Sequence, residues 1–353
     1  MECSAAAVVF DVGSSLTRVG FASSSAPASV FPTLTSRVDD DLLVGMEAAT
    51  CGGLKKHVIN GTVSSWDSME KIWLHGFNEL KTEPENHRFL LDFPYYPCIR
   101  RDKEKTAQLL FENLNVPAAH LTYQSVLSLH SYGRLTGVVV HSGFSETQVY
   151  PIYEGHILPT MTRGSFIAGQ YLTYTLQDLL RRKGYNCSYD EANAIKEKSF
   201  YVAQATSNET PTEDTFTLPD GRSFGLAEEK YLIAEELFTS SNENGVIQDL
   251  VVGTTCRCDP RLRRDLFQNV ILSGGNSLLP GFAPRLEREV AKSCGDAQLQ
   301  NYEGTKVAAP PNRGISAWVG GSVLASSSGF SDMCMTLEEY NEYGPGLVHT
   351  KFF

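Results

Sequence analysis

The sequence predicts an α/β fold organised as a duplicated lobe, and three observations carry that reading. At 353 residues the chain exceeds one ordinary hydrophobic core and suits two lobes or one large α/β domain. A strand-turn-strand unit with a small-residue turn occurs near the amino end and again from Gly137, which suggests duplication. Strands, helices, the second hairpin and further helices then follow in the order expected of an α/β protein.

The first hairpin runs through Ala7-Val8-Val9-Phe10 into Asp11-Val12-Gly13-Ser14-Ser15 and leaves through Thr17-Arg18-Val19-Gly20-Phe21. An amphipathic stretch opens at Met69-Glu70-Lys71-Ile72-Trp73-Leu74, and residues 104–114 form another with apolar positions at helical spacing. Residues 124–132 form a third helix ending near Gly133. The second hairpin enters through Gly137-Val138-Val139-Val140, turns at His141-Ser142-Gly143-Phe144-Ser145 and leaves through Thr147-Gln148-Val149-Tyr150. Polar stretches at 206–213 and 242–245 read as exposed loops. The strand Asn269-Val270-Ile271-Leu272, the turn Ser273-Gly274-Gly275 and a helix carrying Pro284 at an early position close the pattern.

With 42% hydrophobic and 20% charged residues and no long block of like charge, the chain has the balance of a globular protein rather than a disordered one. The net charge of −11 argues against direct nucleic-acid binding, which needs clustered Lys and Arg. Eight cysteines lie scattered, and the one close pair, Cys256 and Cys258, has no second pair to complete a zinc site. Reduced thiols, and with them a cytosolic or nuclear compartment, are the expectation. The apolar run 5–10 is too short for a signal sequence, and no segment has membrane-spanning length, so neither secretion nor membrane insertion is expected.

A turn that cradles phosphate needs glycine for close backbone approach, inward amides, and often a hydroxyl and a cation. Asp11, Gly13, Ser14, Ser15 and Arg18 supply all of these, and Asp11 could face a magnesium water shell. By itself the pattern is more often that of an ordinary hairpin. Ser273-Gly274-Gly275-Asn276 offers a second such place, or a plain strand-to-helix turn. Lys196 and Glu197 read by composition as a solvated helix face.

These segments resemble actin. Residues 11–21 are similar to its first phosphate loop, Ser65-Trp66-Asp67-Ser68-Met69-Glu70-Lys71-Ile72-Trp73 to a signature helix, and residues 271–281 to its adenine-side turn. Residues 310–324, with Ser316-Ala317-Trp318-Val319-Gly320-Gly321-Ser322, and the tail 344–353 match as well, so the resemblance to the actin and actin-related family spans nearly the whole chain in collinear order. It implies an actin-like two-lobed ATPase fold: duplicated ribonuclease-H-like lobes around a nucleotide cleft, with residues 1–131 and 316–353 in the first lobe and 132–315 in the second. It further implies ATP or ADP with Mg2+ or Ca2+. Asp11, Gly13, Ser14, Ser15, Leu16 and Arg18 would face the phosphates, with Gly143 opposite and Asp11 on the metal side. Gly169, Lys196, Glu197, Gly274, Gly275 and Asn276 would line the base and ribose, which moves Lys196 and Glu197 from surface to site.

The same resemblance exposes departures. His141 and Phe144 stand where actin carries two aspartates, and Phe144 is placed to protrude into the phosphate space. Gln124 matches the glutamine that helps position the attacking water, but Gln148 replaces the histidine that works with it. Phosphoryl transfer is catalysed almost entirely by positioning and charge stabilisation, so hydrolysis is expected to be slow or absent. Arg18 for lysine, Ser15 for glycine, Leu279 for tyrosine and Gly314 for lysine alter the binding side and leave an empty cleft open. The acidic link Asp39-Asp40-Asp41 and the polar run Ser240-Ser241-Asn242-Glu243-Asn244 replace two filament contacts, which argues against actin-type self-assembly. His130 and Ser327 replace a tyrosine and a leucine near the groove where actin meets many partners.

The expected function is an actin-related structural subunit of a cytoskeletal multiprotein assembly, cytoplasmic, with protein partners that include actin or other actin-related subunits. Absence of basic localisation clusters favours cytoplasm over nucleus. Two alternatives stand beside it: a slow Mg-ATPase that polymerises or caps actin-type filaments, and an actin-related subunit of a nuclear chromatin-remodelling complex. A sugar-kinase or chaperone-like ATPase on the same scaffold is disfavoured by the actin-like tail 315–353.

Overall fold

A computed structural model describes residues 6–39, 41–51, 55–56, 58–59, 62–93, 99–204, 214–239, 245–296, 299 and 304–352. Asp40 and the stretches 206–213 and 240–244, on which the filament-contact and loop expectations partly rest, lie outside the described residues. The chain divides into two compact units, Met1–Leu135 with Glu154–His156 and Ile315–Phe353, and Thr136–Tyr153 with Ile157–Gly314.

In the first unit, strands β1 (Val8–Val12) and β2 (Leu16–Phe21) pair antiparallel, with Asp11 opposite Arg18. β3 (Ser29–Pro32) continues beside β2, while β4 (Phe89–Phe93) and β5 (Ala118–Tyr123) add in parallel on the other side, and Met335–Thr336 closes the sheet beside β5. β1 is buried along its whole length, so its apolar run is the reading of a central strand covered on both faces. One face meets helix α1 (Trp66–Glu79), whose Ser65 hydroxyl accepts from the Ser68 amide as an N-cap. The other face meets the helix Ser316–Ala325, where Trp318 donates its indole N–H to the Val9 carbonyl at 3.1 Å. That helix lies so close to α2 (Gln124–His130) that a Cβ on Gly320 would fall 1.8 Å from the Leu127 carbonyl oxygen, so only glycine fits there.

The amphipathic stretch expected at 104–114 begins earlier, at Ile99, and its last turn, Leu109–Asn113, widens to i→i+5 bonds such as Leu114 N–H to Leu109 O at 3.0 Å. Strands Leu34–Val38 and Asp41–Val44 form a tight hairpin with Val38 opposite Asp41, and Asp39 takes the left-handed conformation (φ +52°) that aspartate tolerates in such turns.

The second unit repeats the plan. β6 (Gly137–Ser142) and β7 (Thr147–Tyr153) pair antiparallel, β8 (Val270–Ser273) lies parallel to β6, and Val307–Ala308 follows parallel to β8. Arg163–Ser165 pairs with β7. Helices α3 (Gly169–Arg182), α4 (Tyr189–Ser199) and α5 (Phe282–Asp296) contribute Leu172, Leu176, Leu180, Ile195, Leu286 and Val290 to its core. α4 opens with a capping box in which Ser188 and Glu191 satisfy each other's amides. Sheets of this kind in both units give the α/β duplication that the two hairpins announce.

Candidate functional site

Each unit carries a turn between paired strands closed by the same bond: Gly13 N–H donates to Leu16 O at 3.0 Å, and Gly143 N–H to Glu146 O at 3.0 Å. The shape of both turns is thus set by the backbone, while the surrounding side chains differ.

Around the first turn, Asp11 is nearly fully buried and each of its oxygens accepts a hydrogen bond. Its Oδ2 accepts from Arg18 Nη1 at 3.1 Å and its Oδ1 from Gln124 Nε2 at 3.0 Å. The Gln124 amide also donates to Asp92 Oδ1 at 3.2 Å, with the Val12 carbonyl at 3.5 Å. Asp92 accepts from the Val12 amide at 3.3 Å, but its Oδ2 is buried with no hydrogen-bond partner. Burial, and then the neighbouring charge of Asp11, raises the Asp92 carboxyl well above the ordinary aspartate range. Asp11 is paired with Arg18, and Asp92 beside them resists ionisation. Ser14 and Ser15 lie half-buried at the turn, Ser15 O accepting from Thr33 N–H at 2.9 Å, and Leu16 is exposed. The expected members Asp11, Gly13, Ser14, Ser15, Leu16, Arg18 and Gln124 are brought together. Asp92 is a member that sequence reasoning missed.

Around the second turn the chemistry is different. His141 faces Gln148 across the β6–β7 pair and places Nδ1 3.3 Å from Ser273 Oγ. Gln148 donates to Glu146 Oε2 at 3.1 Å, and burial raises the Glu146 carboxyl above its ordinary range against the pull of that bond. Phe144 does not simply project from the turn: its ring lies edge-on to Tyr189 of α4, centroids 6.4 Å apart, because an apolar ring gains by covering another. The Gly143 and Phe144 carbonyls accept from the Gly169 and Gln170 amides at 3.0 and 2.7 Å, so the turn caps the amino end of α3.

The glycine turn after β8 docks on the same spot. Gly274 has φ +88°, and a Cβ there would lie 2.3 Å from Ser142 O, so the position demands glycine on both counts. Gly275 faces open space. Asn276 donates Nδ2 to Ser142 Oγ at 2.9 Å, leaving its buried Oδ1 without a hydrogen-bond partner. Lys196 is only 5% exposed, which corrects the solvated-face reading: its ammonium donates to Gly169 O at 2.8 Å and Thr173 Oγ1 at 2.7 Å, and burial lowers it to about 8. Glu197, one helical step on, is exposed and accepts from Asn193 Nδ2 at 2.9 Å. Gly143, Gly169, Lys196, Gly274 and Asn276 therefore converge around Ser142 and Gly143, with Gly275 opening outward beside them and Glu197 on the outer side of α4.

No group of three or more His, Cys, Asp or Glu that could hold a metal ion occurs among the described residues, nor is any helix among them long and apolar enough to cross a membrane. Cys256 and Cys258 are free thiols, both raised by burial. A family model described as actin matches residues 3–353. The duplicated α/β units, the paired turns and this match over essentially the whole sequence agree: the chain belongs to the actin family.

Proposed function

We propose that this chain is an actin-related structural subunit of a cytoskeletal multiprotein assembly in the cytoplasm, binding adenine nucleotide weakly or as a structural cofactor, with hydrolysis slow or lost. The observation that carries the reading is the state of the two glutamines where water-positioning groups would stand. Gln124 has its amide committed to Asp11 and Asp92, and Gln148 is tied to Glu146. Neither supplies the histidine-type partner that orients a nucleophile.

The residues fit the two halves of a nucleotide site unequally. On the base and ribose side, the glycine turn at Gly274 and Gly275, the ammonium of Lys196 and the unpartnered Oδ1 of Asn276 form a cradle of the right chemistry. A bound nucleotide would supply hydroxyl and amino donors and phosphate charge there. On the metal side the fit is poor. Asp11 already pairs with the Arg18 cation, which competes with a divalent ion for the same carboxylate, and His141 and Phe144 offer no carboxylate.

The hairpin with Asp39 at its tip also supports a non-filamentous role, since it is a short acidic turn rather than a long gripping loop. Protein partners, actin or other actin-related subunits among them, are the interactions this reading requires. The test is to purify the protein without added nucleotide, denature it, count the adenine nucleotide released per chain, and follow phosphate release from added ATP. Near-stoichiometric ATP without turnover is the expected result. Sustained phosphate release would instead favour the slow ATPase that polymerises or caps filaments, and a folded protein with no nucleotide would sink the cofactor claim.

A further inference from the structure

Lys196 and Glu197 are neighbours on α4, and a helix turns about 100° per residue, so one points into the second unit and the other out of it. The backbone alone cannot make both serve one ligand. The side chains nevertheless connect. Lys196 Nζ donates to Thr173 Oγ1 at 2.7 Å; that hydroxyl lies 3.2 Å from Asn193 Oδ1; and Asn193 Nδ2 donates to Glu197 Oε1 at 2.9 Å. Thr173 is fully buried on α3, and its single proton is shared between Asn193 Oδ1 and Gly169 O, the latter at 2.9 Å.

We propose that Thr173 and Asn193 are positioning residues for the base-and-ribose side of the nucleotide site, joining Lys196 to Glu197 through one hydrogen-bonded chain across α3 and α4. This rests on the nucleotide-binding reading above. Thr173 gives the buried ammonium of Lys196 its second acceptor beside Gly169 O, which keeps a cation at a place where burial otherwise drives the proton off. Asn193, four residues before Glu197, holds an exposed carboxylate that would otherwise sample several rotamers. A side chain ordered before binding does not lose that freedom on binding, an advantage of roughly three- to tenfold in affinity for each one.

The experiment is calorimetric titration of ATP into the nucleotide-free protein and into T173V, T173S and N193A, with thermal midpoints recorded for each. Titration of Lys196, read by NMR after reductive methylation, is measured on the same nucleotide-free samples. T173V keeps the shape and removes the hydroxyl, T173S keeps the hydroxyl, and N193A alters a half-exposed position, so at least one informative variant will fold. T173V and N193A should each weaken ATP binding by about tenfold, T173S should bind like the parent chain, and Lys196 in T173V should titrate below its parent value of about 8. Parental affinity in both T173V and N193A overturns the proposal, as does equal weakening by T173V and T173S, which would assign the effect to packing. Failure of the parent chain itself to bind ATP, whatever Lys196 does, removes the nucleotide reading and the positioning role together, whereas normal binding by the parent, T173V and N193A removes only the latter.

Discussion

Replacing Asp92 with asparagine should stabilise the protein at neutral pH and do nothing at pH 4. The carboxyl is 2% exposed, its Oδ2 has no partner, and Asp11 stands beside it, so the folded state resists its ionisation. The sign follows from linkage. A carboxyl raised in the folded state binds more protons there than in the unfolded chain, so stability falls as pH rises from the ordinary aspartate value of 3.8 through the raised folded value. Below that window both states are protonated and the handicap vanishes. Each unit of displacement corresponds to about 1.4 kcal/mol of handicap at neutral pH, so a gain on the order of 1 kcal/mol or more at pH 7 is expected. The asparagine carbonyl can still accept from Val12 N–H and Gln124 Nε2. Urea denaturation of D92N and the parent at pH 4, 5.5 and 7 reads this directly, and each kcal/mol should appear in thermal scans as about 2–4 °C. Destabilisation at pH 7, or a difference that does not change with pH, would refute the account of a strained acid beside Asp11.

Q124A removes the donor shared by two buried carboxylates and should lower stability by about 1–3 kcal/mol in urea melts while leaving phosphate release at its background level. G274A meets both a left-handed backbone and the Ser142 carbonyl and should cost about 2–4 kcal/mol, whereas G275A, facing open space, should change the midpoint little. His120, buried against Phe330 and Phe352, is lowered to about 4 by burial from an ordinary 6.5, so the unfolded chain takes up its proton first as pH falls. Stability should therefore drop by about 3 kcal/mol between pH 6.5 and 4 from this group, and H120L should flatten that segment of the pH profile despite losing the bond to Met333 O.

Much of the fold was legible because it rests on local patterns. The two hairpins announce themselves by apolar strands meeting small turns, and β1 and β6 are where those runs predict. Local reasoning failed where a distant residue decides. Lys196 looks solvated in its own helix, and only acceptors on another helix, Gly169 O and Thr173 Oγ1, make it a buried donor. The helix beginning at Ile99 reaches beyond the amphipathic stretch expected at 104–114, and its Lys103 is buried, donating to Phe352 O at 2.8 Å with Tyr123 beneath its ammonium. Asp92 did leave a signal: an acid closing the apolar run Phe89-Leu90-Leu91 is a carboxylate placed where carboxylates are seldom buried alone. The departures at His141, Phe144 and Gln148 were legible as substitutions, but their new partners, Ser273, Tyr189 and Glu146, were not.

The seating of α3 on the second turn gives that turn mechanical leverage. Because the Gly143 and Phe144 carbonyls hold the first amides of α3, the turn cannot shift without either fraying the helix or dragging it along. A 14-residue helix is stiff over about 20 Å, so a small displacement at Gly143 is delivered intact to Arg181 and Arg182 at its far end. Arg181 and Arg182 are exposed there, so a shift of the turn would change the position of a basic surface at the far end of the helix.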